Sequence, residues 1–205
     1  MLLTEYRPFK VNKMLVEQSI KENKPLIVSG ILQRAEAKNQ NGRIYPTEIL
    51  KREIQNYIDG PIRERRATGE LDHPESSVIN LQNVSHNIKK IWWDGDDVMG
   101  EVEILSTPAG KILKELFRNG ITVGISSRGM GSVEENLSEG TVTVQDDFEL
   151  LCWDFVSTPS THGAFMTPKG HSLQEGKAKL SNYKYTNVNN IIRDIICDNT
   201  GTCAC

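Results

Sequence analysis

Three segments carry side chains able to do chemistry together. Gly69-Glu-Leu-Asp-His-Pro74 places His73 among turn residues at a strand end, where an imidazole can serve as an exposed base. Val123-Gly-Ile-Ser-Ser-Arg-Gly-Met-Gly131 is rich in serine and glycine directly after an apolar stretch. A nucleophilic serine needs an exposed hydroxyl and free backbone N–H groups to hold an oxyanion. Trp153-Asp-Phe-Val-Ser-Thr-Pro-Ser160 interrupts an apolar run with Asp154. A carboxylate on a buried face needs a partner, and orienting a histidine would supply one. Each segment also has a plain reading. His73 alone is a surface histidine, 123–131 a tight turn, and Asp154 an arginine's ion-pair partner. His86, His162 and His171 compete with His73, and His86, within a strand, is a second catalytic or structural candidate.

The elements that must position these residues are strand-rich. Pro25–Leu32 is short and β-branched and reads as a buried strand. Residues 46–58 space Ile49, Leu50, Ile54, Tyr57 and Ile58 at three to four, an amphipathic helix ended by Asp59-Gly-Pro61. Val78 to Trp93 and Val98 to Leu105 read as strands flanking the turn Asp94-Gly-Asp-Asp97. A second helix runs from Thr107-Pro108 to Asn119-Gly120. Ile121–Ser126, Gly131–Val133, Thr141–Val144 and Phe148–Val156 are further strands. This order predicts a β-rich α+β domain over 25–168 whose sheet is closed or nearly closed. Residues 1–24 form a polar N-terminal segment. Residues 169–205 read as polar linker and tail, with a short helix at 188–196.

Composition bounds the function. The 205 residues carry a net charge of −3, with 38% apolar and 25% charged residues, so bulk charge gives no footprint for nucleic acid. No apolar run is long enough to span a membrane, and Glu5 sits where a signal peptide needs apolar residues, so a cytoplasmic location is expected. Cys152, Cys197, Cys203 and Cys205 are read as reduced thiols, not zinc ligands. The remaining metal option would gather Asp72 and His73 with Asp94, Asp96 and Asp97; no metal or cofactor is expected.

Together the three motifs, with Asn41-Gly-Arg-Ile-Tyr-Pro46, resemble the prohead core proteases of tailed phages across about residues 25–168. That family is similar in fold to the herpesvirus assembly proteases, which implies a β-barrel ringed by a few helices. The resemblance implies a serine endopeptidase acting inside the phage prohead in the host cytoplasm. Its partners would be scaffold and capsid proteins, cut after glutamate in Leu/Ile-x-Glu contexts, and the chain itself; a homo-oligomer is plausible by the same likeness. Carried over, the roles are His73 as base, Ser127 as nucleophile and Asp154 as the orienting group, with His86 and Ser126 as alternatives. Ser127 is preferred because related proteases place the serine just before a glycine, as in Ser127-Arg-Gly129. Arg128 and Gly129 are assigned to the oxyanion hole or substrate binding, and Arg65 and Arg66 are further candidates for a substrate carboxylate. Leu173-Gln-Glu175 matches the self-cleavage pattern in the linker, Leu3-Thr-Glu5 and Leu15-Val-Glu17 match near the start, and Leu113-Lys-Glu115 matches inside a helix. Two competing readings are a scaffold-core protein that does not cut and an esterase; the second would expect a Gly-x-Ser-x-Gly elbow, which the sequence lacks.

Overall fold

The computed structural model describes residues 13–22, 25–136 and 140–168. The predicted helix at 188–196, Glu5 and Glu175 lie outside them. Within the compact unit ending at Gly170, helix α1 (Lys13–Lys21) buries Val16 completely and packs on helix α3 (Pro108–Arg118) and strand β1 (Leu26–Arg34). Glu17 is thus helical, and its neighbour Val16 is locked in the core.

Strand β1 alternates, burying Leu26, Val28 and Leu32. It pairs antiparallel with β5 (Asp97–Ile104), which pairs with β4 (Val84–Asp94) across a turn at Gly95-Asp96, where Gly95 has φ 59°. β3 (Thr68–Glu70) adds beyond β4, and β10 (Thr167–Pro168) beyond β1, giving the order β10-β1-β5-β4-β3. A three-stranded sheet joins β2 (Arg43–Ile44), β8 (Thr141–Val144) and β7 (Val133–Asn136). A two-stranded sheet joins β6 (Gly124–Met130) and β9 (Glu149–Val156). The chain is α+β and strand-rich with few helices, as its sequence predicts. Among the described residues the closed sheet is not found: their strands fall into three sheets, with the β6–β9 pair stitched on by the isolated bridges Leu71–Phe155 and Gly124–Phe165.

Three local expectations change. Helix α2 (Thr47–Tyr57) does not stop at Asp59; a wider π-type turn, Ile58–Ile62, carries the chain through Pro61. The wide turn tolerates a residue that can neither donate an N–H nor fit a tight ladder. The strand predicted from Val78 starts only at Val84, because Asn80 folds the preceding loop, its side chain accepting from Gln82 N and its carbonyl from Asn83 N. The serine- and glycine-rich segment is not a turn but the body of β6, because β9 offers it a ladder partner. The core gathers Trp153, Phe155, Phe117, Ile125, Ile88 and Leu113, all under 2% exposed. Burying each such side chain stabilises the fold by about 1.5–3 kcal/mol. α3 turns Leu113 and Phe117 into this core, and Thr107 caps it by accepting Gly110 N–H.

Candidate active site

Alternation along β9 sends Trp153 and Phe155 into the core and turns Asp154 to the opposite face. Asp154 is nonetheless fully buried. β3 and the residues after it cover it, Leu71 pairing parallel with Phe155 and Asp72 N donating to Phe155 O at 2.7 Å. Glu70 N donates to Asp154 Oδ1 at 2.9 Å. Asp72 then adopts φ 74°, a left-handed conformation that aspartate tolerates better than most residues. This kink lifts the chain off the strand track and sets His73 Nδ1 2.8 Å from Asp154 Oδ2. His73 N is anchored on Asp72 Oδ1 at 3.0 Å. The carboxylate partner assigns the Nδ1–H tautomer, which leaves Nε2 as the free lone pair of a half-exposed ring. Burial pushes the Asp154 carboxyl up. The hydrogen bonds from His73 and Glu70 N and the charge of Arg128 outweigh it and hold Asp154 below its ordinary range.

The β6–β9 register decides which serine shares this face. Ser126 lies opposite Asp154 and Ser127 opposite Trp153. Directly opposed residues in an antiparallel pair project to the same side. Ser126 therefore stands on the Asp154 face, 4% exposed, with its Oγ 3.0 Å from Ser160 Oγ. Ser127 is half-buried on the Trp153 face. Neither serine is hydrogen-bonded to His73 among the described residues. The main chain follows the same parity. Ile125 N donates away from β9, to Ala164 O, and its partner Phe155 turns its carbonyl to Asp72. Alternation then points Ser126's main chain at β9 and Ser127's N–H and C=O outward from the sheet edge.

The remaining candidates fall elsewhere. His86 is fully buried, with Nε2 2.9 Å from Trp153 O, Nδ1 2.9 Å from Ser85 Oγ, and its ring edge-on to Phe155. Burial depresses its pKa to about 4, so it is neutral near pH 7. The structure brings Asp154, not His86, to His73. Arg128 is not free to receive a substrate carboxylate, because its guanidinium is spent on Glu70, Asp154 and the carbonyl of Ser76. Gly129 is small for packing reasons: a Cβ there would lie 2.5 Å from the Phe148 ring. Arg65 is exposed, and Arg66 pairs with Glu64. His162 lines a shallow cleft with Arg34, Lys38, Asn39 and Thr161, and His171 lies outside the described residues. Cys152 is a buried thiol whose pKa burial pushes up to about 12, far from a reactive thiolate. Among the described residues no group of three or more His, Cys, Asp or Glu side chains is arranged to hold a metal ion, and Asp97 is taken up by Arg34. Glu70 and Ser160 were missed as site residues, although each stands inside a motif already singled out.

A histidine held through Nδ1 by a buried aspartate, beside a serine-bearing strand, is an arrangement that serine hydrolases use. Residues 4–175 match the prohead core protein serine protease family, and the chain belongs to it. It is 34% identical over 148 residues to the prohead core protein protease of Enterobacteria phage T4, covering 70% of this chain and 69% of that one. It is also similar to the solved structure of the bacteriophage T4 capsid assembly protease, with a TM-score of 0.62 at 32% identity over 66% of this chain and 84% of that chain.

Proposed function

We propose that this chain is a serine endopeptidase that cleaves scaffold and capsid proteins inside a phage prohead, with Ser126 as nucleophile, His73 as general base and Asp154 as the group that orients it. The observation that carries the reading is the register: the one serine directly opposite Asp154 is Ser126. Rotation of its hydroxyl from Ser160 toward His73 Nε2 would let the imidazole take the proton as Oγ attacks the scissile carbonyl. The imidazolium, stabilised by Asp154, would then protonate the leaving amine, and water would release the acyl group by the same path. Hydrogen bonds of this kind are often long in the unliganded state and tighten with substrate. The outward N–H and C=O of Ser127 offer an extended peptide a main-chain partner one residue from the nucleophile. Cleavage after glutamate in Leu/Ile-x-Glu contexts, trimming at Glu175 and a homo-oligomeric state belong to the same proposal by family likeness.

Ser127 as nucleophile is the second reading, favoured by its greater exposure. Two alanine variants separate them. Ser126→Ala is expected to lose peptide hydrolysis and labelling by a fluorophosphonate, while Ser127→Ala keeps both within about tenfold. The reverse pattern would move the nucleophile to Ser127. Absence of labelling in wild type and both variants would favour the scaffold-core protein that does not cut.

A further inference from the structure

Arg128 holds more than one charge in place. Its side chain is 9% exposed. Nε lies 2.9 Å from Asp154 Oδ2. Nη2 donates to Asp154 Oδ1 at 3.2 Å and to Glu70 Oε1 at 3.0 Å, and Nη1 donates to the Ser76 carbonyl at 2.6 Å. Glu70 is fully buried, and its Oε1 also accepts Asn80 N–H at 3.0 Å. Both the Ser76 and the Asn80 ends of the loop behind His73 therefore hang on the ion cluster that holds Asp154. That loop carries Val78, 73% exposed.

We propose that Arg128 is a positioning residue: with Glu70 it fixes Asp154 beneath His73 and ties the 76–80 loop to the catalytic pair, and it does not bind substrate. The proposal rests on the roles given above to His73 and Asp154. Two buried carboxylates side by side repel unless a cation lies between them. A guanidinium reaches several acceptors in one plane; a lysine ammonium is a single point that cannot. The groups facing Asp154 are His73 from the loop after β3, Glu70 of β3, Arg128 of β6 and Cys152 of its own strand, with His86 of β4 and Tyr57 of α2 at longer range. Among these Arg128 is the permanent cation, so its loss makes an imidazolium at His73 easier to form.

The test uses the full chain. Arg128→Lys is expected to lower kcat on a Leu-x-Glu peptide by about tenfold or more while KM stays within about threefold, since the fork is lost and substrate contacts are not. Arg128→Gln, made in a Ser126→Ala background and followed by NMR, is expected to raise the His73 titration by about one pH unit. Amide hydrogen exchange at 76–83 is expected to quicken in both variants. A rise in KM at constant kcat would overturn the proposal and make Arg128 a substrate contact. An unshifted His73 titration would overturn it too. The NMR and exchange readouts need no turnover, so they decide this proposal even if the peptidase reading fails.

Discussion

Asp154 has two oxygens and a crowd of claimants: His73, Glu70 N, Arg128 and Cys152. An amide at this position would turn a donor toward His73 Nδ1, force the wrong tautomer, and leave Arg128 with Glu70 as its one carboxylate partner. Asp154→Asn is therefore expected to lower kcat for peptide hydrolysis by about 10³–10⁴-fold. Loss of the buried Asp154–Arg128 ion pair should also cost about 3 kcal/mol in urea unfolding. A variant that keeps wild-type kcat would remove Asp154 from the mechanism. The types and order of His73 and Asp154 were legible in the sequence, because a histidine among turn residues and a carboxylate in an apolar strand are both out of place without a task. The choice between Ser126 and Ser127 was not legible. Adjacent residues on a strand face opposite ways, and only the pairing with β9 shows which way is Asp154's. The partners of Arg128 were not legible for the same reason: Glu70 is 58 residues away, and nothing local announces it.

At the level of elements, β3 is the part that brings His73 to β9, and its approach is close. A Cβ on Gly69 would lie 1.9 Å from Trp153 O and 2.5 Å from the His86 ring. The first is rigid backbone and the second a ring fixed by hydrogen bonds at both nitrogens, so neither gives way cheaply. Gly69→Ala is expected to destabilise the chain by about 3 kcal/mol, read as a lowered urea midpoint. It should also loosen His73 from Asp154, seen as lost activity in the fraction that still folds. A wild-type midpoint would mean that β3 docks differently. The sequence located β1, α2, α3, the β4–β5 turn and β9 from periodicity and punctuation. It ended the strand at Ser126 and missed that β6 runs on through Ser127 to Met130, since a strand rich in serine and glycine has no apolar alternation and owes its form to a partner about thirty residues on. It also missed the three-sheet arrangement, because closure depends on which edges pair and every strand here reads the same from either edge.

Over the whole molecule the buried titratable groups set a pH limit. His86 binds its proton near its ordinary 6.5 when unfolded, but only at about 4 when folded, because burial penalises the charged ring. Between those values the unfolded chain holds the extra proton. Stability therefore rises with pH through this window and is lost as pH falls through it. Integrated over the window, the effect is about 3 kcal/mol. Asp154, held below the ordinary carboxylate range, acts in the same direction at lower pH: its contribution is present above the unfolded carboxylate pKa and disappears as the folded carboxylate takes a proton. The fold should therefore weaken steadily from pH 7 toward pH 4, in the range where surface carboxylates alone would change little. The experiment is urea unfolding at a series of pH values for wild type and His86→Gln. The glutamine variant starts less stable at pH 7, having lost the ring's contact with Phe155, yet its stability should stay nearly flat from pH 6.5 to 4.5 while wild type declines. If both decline in parallel, the acid sensitivity lies elsewhere in the chain, and His86 is a packing residue whose burial has no bearing on when the fold gives way.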